Sequence, residues 1–411
     1  QKAPEDMKLF FLKNPLDTCN DGTRAGYYLR EHEGSKIFLL AFSGGWCCYS
    51  KETCDTRYKN IWRLMSSSGP EAERAGWGQL ASSATQTAQH PSPPALRASQ
   101  SMQRGALECA LWRSSCNFKG SGTTAPLCIS IGGPGHSLKE VFLLTSISAG
   151  GTGMLLDLER VVTLLEMLGA EAVQVRGLVD LGWFLDLKHP RQSDCSDAAS
   201  SAPADAIKKG LRMWKRILLE KCKLKFKRVD EWQCFLGYRL YSSLKSPVFV
   251  VQWVFDKEQL RLENIHLGSQ SLTEIQWNYL KNLGRELSNS QCAVSAVFAP
   301  ACLSHMLITK SYWLEFQVKG ISLARALQCW EKSLQSSNKA PKICMRSCPF
   351  HLIDNCPWPY CNPTCSALHD HGIGHEVNFQ LALFRMRPDV HSQGKEHGLP
   401  TQVQRVTQSG V

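Results

Sequence analysis

Ser146-Ile147-Ser148-Ala149-Gly150-Gly151-Thr152-Gly153 stands between an apolar run, Glu140 to Thr145 (EVFLLT), and a segment of helical pattern, Met154 to Leu168 (MLLDLERVVTLLEML). A strand, a tight turn and a helix in that order is the arrangement of a nucleophile elbow. Its turn holds one serine in a strained backbone conformation with the hydroxyl projecting above the sheet, and leaves the next backbone N–H free to stabilise an oxyanion. Ser148 is the candidate nucleophile and Ala149 the adjoining donor. The full pattern is G-x-S-x-G; Gly150 meets it, while Ser146 stands at the first glycine position and brings a Cβ into the turn. The stretch also fits a plain Gly/Ser loop with Ser148 or Thr152 as helix N-cap, so its neighbours in the chain have to decide.

Upstream, Lys36 to Phe42 (KIFLLAF) is apolar without interruption, as a strand covered on both faces should be, and it runs into Ser43-Gly44-Gly45-Trp46. A glycine pair after a central strand, some hundred residues before the nucleophile, is where an α/β-hydrolase places its second oxyanion donor. Lys8 to Leu12 and Gly26 to Leu29 read as early strands. From Gly78 to Gly135 the composition shifts to Ser, Ala, Pro, Gln and Thr, and only Pro126 to Ile131 (PLCISI) has strand character. Residues 79–137 are therefore expected to be an irregular, insert-like segment where a strand and helix would normally lead into the elbow.

Downstream, Ala172 to Val179 predicts a further parallel strand and Ala204 to Leu219 a helix. Pro247 to Phe255 (PVFVVQWVF) predicts the strongest strand of the chain and delivers Asp256 at its end. A helical pattern follows between Leu272 and Leu287, and then a last strand, Ala293 to Pro300, which leads to His305. Alternating strands and helices give an α/β fold with a mostly parallel central sheet. The chain order Ser148, Asp256, His305 is the α/β-hydrolase order of nucleophile, acid and base.

The 411 residues are 43% hydrophobic and 20% charged, an ordinary globular composition, and no apolar run reaches the ~18 residues that span a bilayer. Eighteen widely spaced cysteines with no Cys-x-x-Cys pair suggest disulfides formed in an oxidising compartment, hence secretion; Cys48 and Cys54 could close a small loop. The chain opens at Gln1-Lys2-Ala3-Pro4 with no initiator Met and no charged-then-apolar leader, as expected if a signal peptide was removed or if the 5′ portion is missing. The cysteines from Cys344 to Cys365 and the histidines His369, His371 and His375 raise zinc as a question, but their spacings miss the usual knuckle and disulfides account for them better. No metal or other cofactor is expected. The net charge of +11 favours anionic partners such as sulfated glycans, and residues 208–228 hold ten Lys/Arg against one Glu220, which suits either a solvated face or a heparan-type site. No nucleic-acid partner is expected. The tail beyond Val390 is polar and expected to be disordered.

Many segments together resemble one family. They include Cys19-Asn20-Asp21-Gly22, Ala25 to Leu29, Gly44-Gly45-Trp46 and Arg63 to Ser67. They continue with Ser148 to Gly153, Gly182 to Asp186, Pro247 to Trp253, Phe298 to His305 and Cys356 to Pro359. The chain is similar to the Notum family of secreted carboxylesterases, pectin acetylesterase-like α/β-hydrolases that remove palmitoleate from Wnt proteins. The resemblance covers residues 8–78 and 138 to about 382 and implies a single hydrolase domain over 8–385. It implies Ser148, Asp256 and His305 as triad, N–H groups near Gly45, Trp46 and Ala149 as oxyanion hole, and an acyl pocket including Trp46, Phe184, Pro203, Ile207 and Phe235. The chain departs from the family at Ser146 (Gly), Cys47 (Tyr), Leu236 (Phe), Glu258 (a small residue), and Ser201 and Ser246 (both Cys), and residues 79–137 share almost nothing with it. Two other readings stay open: a catalytically impaired or glycan-binding relative, and an esterase for short acyl or sugar acetyl esters.

Overall fold

The structure is a computed structural model that describes residues 8–11, 22–24, 26–30, 37–42, 48–62, 108–112, 140–187, 203–214, 218–263, 265, 272–308, 313–335, 348–356, 358–359, 361–365, 368–369 and 376–377. The strands that matter are β1 (Lys8–Phe11), β2 (Gly26–Arg30), β3 (Ile37–Phe42), β4 (Glu108–Trp112), β5 (Val141–Ile147), β6 (Gln174–Asp180) and β7 (Val248–Val251). They continue with β8 (Phe255–Asp256), β9 (Ala296–Ala299), β10 (Leu303–Ser304), the hairpin β11 (Gln317–Val318) and β12 (Ile321–Ser322), and β13 (His351–Ile353). Among the described residues, the α-helices of more than four residues are α1 (Lys51–Ile61), α2 (Ala149–Met167), α3 (Pro203–Trp214), α4 (Lys257–Leu262), α5 (Glu274–Gln291) and α6 (Leu323–Gln335). A nine-stranded sheet in the order β1-β2-β4-β3-β5-β6-β7-β9-β13 forms the centre. β1–β2 and β2–β4 are antiparallel, and every pairing from β4 to β13 is parallel.

Side chains of successive strand residues divide between two apolar layers, because strand side chains alternate faces. Phe142 and Leu144 of β5, Val248 and Val250 of β7, and Val297 of β9 join the helix α2 side, where Met154, Leu155, Leu158, Val161 and Leu165 are buried. Leu143, Phe249, Val251 and Phe298 join the opposite layer with Trp330 of α6 and Phe316. Covered on both faces, the central strands read as continuous apolar runs, which is why they were legible.

Two glycines set how closely the elbow approaches its neighbour. A Cβ on Gly151 would lie 2.6 Å from Gly182 Cα, and one on Gly182 would lie 2.7 Å from Gly151 Cα, so the first turn of α2 and the segment after β6 meet backbone to backbone. A Cβ on Gly284 of α5 would lie 2.8 Å from the Phe255 ring, so that glycine lets α5 rest against β8.

Several expectations are corrected. The apolar run from Pro247 to Phe255 is not one strand: β7 ends at Val251, and β8 is a separate two-residue strand paired in parallel with β10. Composition could not register the break, since Gln252 and Val254 still donate backbone hydrogen bonds to Phe298 and Pro300. Within the atypical segment the described strand is β4 at Glu108–Trp112, while Pro126 to Ile131 lies outside the described residues. Glu, Cys and Ala carry little intrinsic strand preference, and β4 exists because it pairs between β2 and β3. Ala293 to Pro300 is not the last strand, since β13 pairs beyond β9. Helix α2 begins at Ala149 rather than Met154, as its glycines concealed the first turn. The tail beyond Val390 also lies outside the described residues.

Among the described residues, five disulfides join Cys48–Cys54, Cys222–Cys234, Cys302–Cys365, Cys329–Cys348 and Cys356–Cys361. The first is the small loop expected from the spacing. Among the described residues, Cys292 is an exposed free thiol. Gly151→Ala is expected to lower unfolding free energy by about 1–2 kcal/mol, because overpacking against backbone, at ~2–3 kcal/mol, outweighs the ~1 kcal/mol helix-propensity gain; urea denaturation beside the parent chain measures it.

Candidate active site

β5 ends at Ile147 and α2 begins at Ala149, so a single residue makes the turn between them. That residue is Ser148, at φ 53 and ψ −128. A non-glycine residue there is strained by about 1–3 kcal/mol and needs neighbours that leave it no alternative. Its N–H donates to the Asp180 carbonyl at 2.7 Å and its carbonyl accepts from Gly151 N–H at 2.8 Å, while Gly151 and Gly182 allow the close approach. Ser146 does not prevent the turn: it lies within β5, opposite Phe42 and Val179, where a Cβ is normal strand geometry.

Asp256 and His305 reach Ser148 through the small parallel pair β8 and β10. Registers Phe255–Leu303 and Ser304–Asp256 set the last residue of β8 beside the residue preceding His305. His305 Nδ1 lies 3.1 Å from Asp256 Oδ1 and 3.3 Å from Oδ2, and His305 Nε2 lies 2.9 Å from Ser148 Oγ. Asp256 is also the N-cap of α4, its Oδ1 accepting from the Glu258 and Gln259 N–H groups at 2.8 and 3.1 Å. Three fixed donors on one carboxylate oxygen leave that side chain little freedom. The Asp256 side chain is 2% exposed and that of His305 16%, so the carboxylate is shielded while the imidazole keeps one edge accessible.

Burial pulls the His305 pKa down, but the Asp256 charge and hydrogen bond, with lesser contributions from Glu258 and Asp180, outweigh it, and the pKa lies above the ordinary histidine value. Such an imidazole can accept the Ser148 proton above its pKa and hold it against the Asp256 charge. Ala149 is the first residue of α2, so its N–H stands next to Ser148 at the positive end of a 19-residue helix, where an anion is favoured. Gly45 and Trp46 lie outside the described residues; β3, which precedes them, ends at Phe42, opposite Ser146.

Of the expected acyl-pocket residues, Ile207 and Phe235 are buried in one apolar cluster with Trp183, Leu185 and Leu236, and Phe184 is buried on the segment leaving β6. Pro203 is the first residue of α3. Glu258 does not add a lone carboxylate: Oε2 pairs with Arg261 Nε at 2.8 Å along α4. A cavity of about 800 Å³ opens elsewhere, among Glu159, Arg160, Gln174 and Lys245 where β6 and β7 begin, at the opposite end of these strands from Ser148.

Residue-by-residue reading missed three supporting side chains. Gln252 Oε1 accepts from Trp183 N–H at 3.2 Å; Gln259 Oε1 accepts from Leu185 N–H at 3.2 Å and its Nε2 donates to the Leu185 carbonyl at 3.0 Å. Together they hold the backbone on both sides of Phe184. The third is Asp180, fully buried, whose Oδ2 accepts from the Leu307 and Ile308 N–H groups at 2.8 Å each. The available signals were a polar residue interrupting an apolar run, at Gln252, and a second aspartate closing a strand, at Asp180.

The pectinacetylesterase family model matches residues 1–91 and 114–366. The chain belongs to the pectinacetylesterase family. Within this family it is 51% identical over 399 residues to palmitoleoyl-protein carboxylesterase notum2 of Xenopus laevis, covering 96% of this chain and 82% of the relative. It is 46% identical to NOTUM of Mus musculus (97% and 80% covered) and 44% identical to NOTUM of Homo sapiens (97% and 81% covered). A pectinacetylesterase-family chain with this sheet order is an α/β-hydrolase and a carboxylic ester hydrolase. No described helix is long and apolar enough to cross a membrane.

Because the imidazole must be neutral to accept a proton, kcat/KM is expected to fall as pH drops through the raised His305 pKa, on an acid limb above the ordinary histidine value of about 6.5. Asp256→Asn should move that limb to lower pH. An unmoved limb in a folded, active Asp256→Asn variant would dissociate the titration from this pair.

Proposed function

We propose that this chain is a secreted serine carboxylesterase that removes palmitoleate from an acylated serine of Wnt proteins and thereby restrains Wnt signalling. The observation that carries the reading is the hydrogen-bond chain from Asp256 through His305 to Ser148, ending on a serine held at φ 53. His305 takes the proton of Ser148 as Oγ attacks the ester carbonyl, and Asp256 fixes the imidazole tautomer and stabilises the imidazolium. The Ala149 N–H, with N–H groups of Gly45 and Trp46, takes the oxyanion. His305 then gives its proton to the departing serine oxygen of the substrate as its ester C–O bond breaks, and a water activated by the same imidazole releases the fatty acid from the acyl-enzyme.

The substrate is argued from the relatives' shared name, palmitoleoyl-protein carboxylesterase, and from the apolar neighbourhood of Phe184, Ile207 and Phe235. Pro203 and Trp46 complete the acyl pocket in this reading. Secretion is argued from the five disulfides, which an oxidising compartment sustains. Heparan sulfate proteoglycans are the second partner we propose, on the exposed Lys221, Lys225, Lys227 and Arg228 of the basic 208–228 stretch. Salt-sensitive retention on heparin, weakened by Lys227→Glu with Arg228→Glu, tests that partner; unchanged retention would remove it.

The purified protein is expected to hydrolyse octanoyl esters and a palmitoleoyl-serine peptide, and Ser148→Ala should lower kcat on the order of 10⁴-fold or more. Hydrolysis of acetyl but not octanoyl esters would transfer the assignment to short acyl substrates. Folded protein with no Ser148-dependent hydrolysis would overturn the enzymatic reading.

A further inference from the structure

Asp180 touches both halves of the site and belongs to neither. It closes β6, and its main chain and side chain point to different partners. Its carbonyl accepts the Ser148 N–H at 2.7 Å, and its Oδ2 accepts the N–H groups of Leu307 and Ile308, the second and third residues after His305. Around it the backbone turns sharply. Of the four non-glycine residues at positive φ among those described, Ser148 (53), Leu181 (65) and Met306 (60) all adjoin these contacts, and only Lys319 lies elsewhere.

Before His305 the loop is anchored by the two-residue pairing of β10 with β8, the Cys302–Cys365 disulfide and the Ala301 N–H, which donates to Asp354 Oδ2 at 2.8 Å. After His305, the two amides on Asp180 follow directly. We propose that Asp180 is a positioning residue for the esterase reaction, clamping the Met306–Ile308 turn so that the His305 imidazole stays in line with a serine whose own N–H is held by the same residue. The inference rests on the triad reading above.

The carboxylate also acts at a distance. Facing His305 are Asp256 from β8, Glu258 from α4 and Asp180 from β6, and all three favour its protonated form. Burial raises the Asp180 pKa to about 6 against the two amide hydrogen bonds and the nearby His305, which lower it, while Asp256 raises it further. At neutral pH Asp180 is therefore mostly ionised, and its charge supports the imidazolium that forms during the reaction. Among the described residues, its Oδ1 has no hydrogen-bond partner.

Asp180→Asn and Asp180→Ala separate clamp from charge. Asparagine Oδ1 can still accept both amides, so this variant should stay folded and keep its KM. It should lose roughly 10-fold in kcat and show the acid limb of kcat/KM at lower pH, because a negative charge facing His305 is gone. Alanine leaves two buried amides without acceptors and frees the histidine loop, and kcat per fluorophosphonate-titrated site should fall about 100-fold, as expected for a misplacement near 1 Å. Asparagine recovering most of the alanine loss, with its limb shifted, is the expected result. If titrated Asp180→Asn and Asp180→Ala both match the parent in kcat and acid limb while melting earlier, the residue only supports the fold and the inference is overturned. The parent and Ser148→Ala run alongside: if the parent has no activity that Ser148→Ala removes, the triad reading fails first and this inference with it.

Discussion

The strained turn at Ser148 is the constraint around which the molecule is arranged. Holding a serine at φ 53 costs about 1–3 kcal/mol, which the surrounding structure has to offset. It does so from two directions. β5 is paired on both sides along its length, with β3 and with β6, and α2 buries Met154, Leu155, Leu158, Val161 and Leu165 against the sheet. Strand and helix are thus each fixed independently, and the one residue between them has no relaxed conformation to adopt. The contact of Gly151 with Gly182 removes the remaining freedom, because the helix start cannot rise from the sheet without opening a gap between backbones.

A second consequence of this arrangement is that the three groups in line at the site come from three separate connections. Ser148 leaves β5, Asp256 belongs to the short strand after β7, and His305 follows the short strand after β9. None is near another in sequence. What aligns them is backbone pairing: the parallel sheet brings β5, β6, β7 and β9 to a common edge, and β8 with β10 extends that edge by two residues. Gly284 contributes from a distance, since its missing Cβ leaves room for the Phe255 ring beside Asp256.

How much of this could be read from residues alone follows from the same physics. The buried strands announced themselves by uninterrupted apolar runs, and the turn by its glycines. Asp256 and His305 stood out as candidates because one closes a strand and the other comes just after one. What stayed hidden was whatever depends on partners distant in sequence: β4 is a strand only through β2 and β3, and the break at Gln252 is a change in pairing that composition does not record. Asp180 was visible as a residue but not as a contact, since only the fold brings Leu307 and Ile308 to it. The glycine expected at Ser146 shows the converse. A pattern position mattered less than its backbone, because that residue sits inside β5 and needs no positive φ.

The account stands or falls on Ser148 being a nucleophile activated by His305. Treatment with a fluorophosphonate followed by peptide mass spectrometry tests this most directly, because the reagent reacts with an activated serine and not with an ordinary one. One stoichiometric adduct on the peptide containing Ser148, absent after His305→Ala, is predicted. A folded protein that takes up no reagent, or carries it on a different serine, would contradict the account.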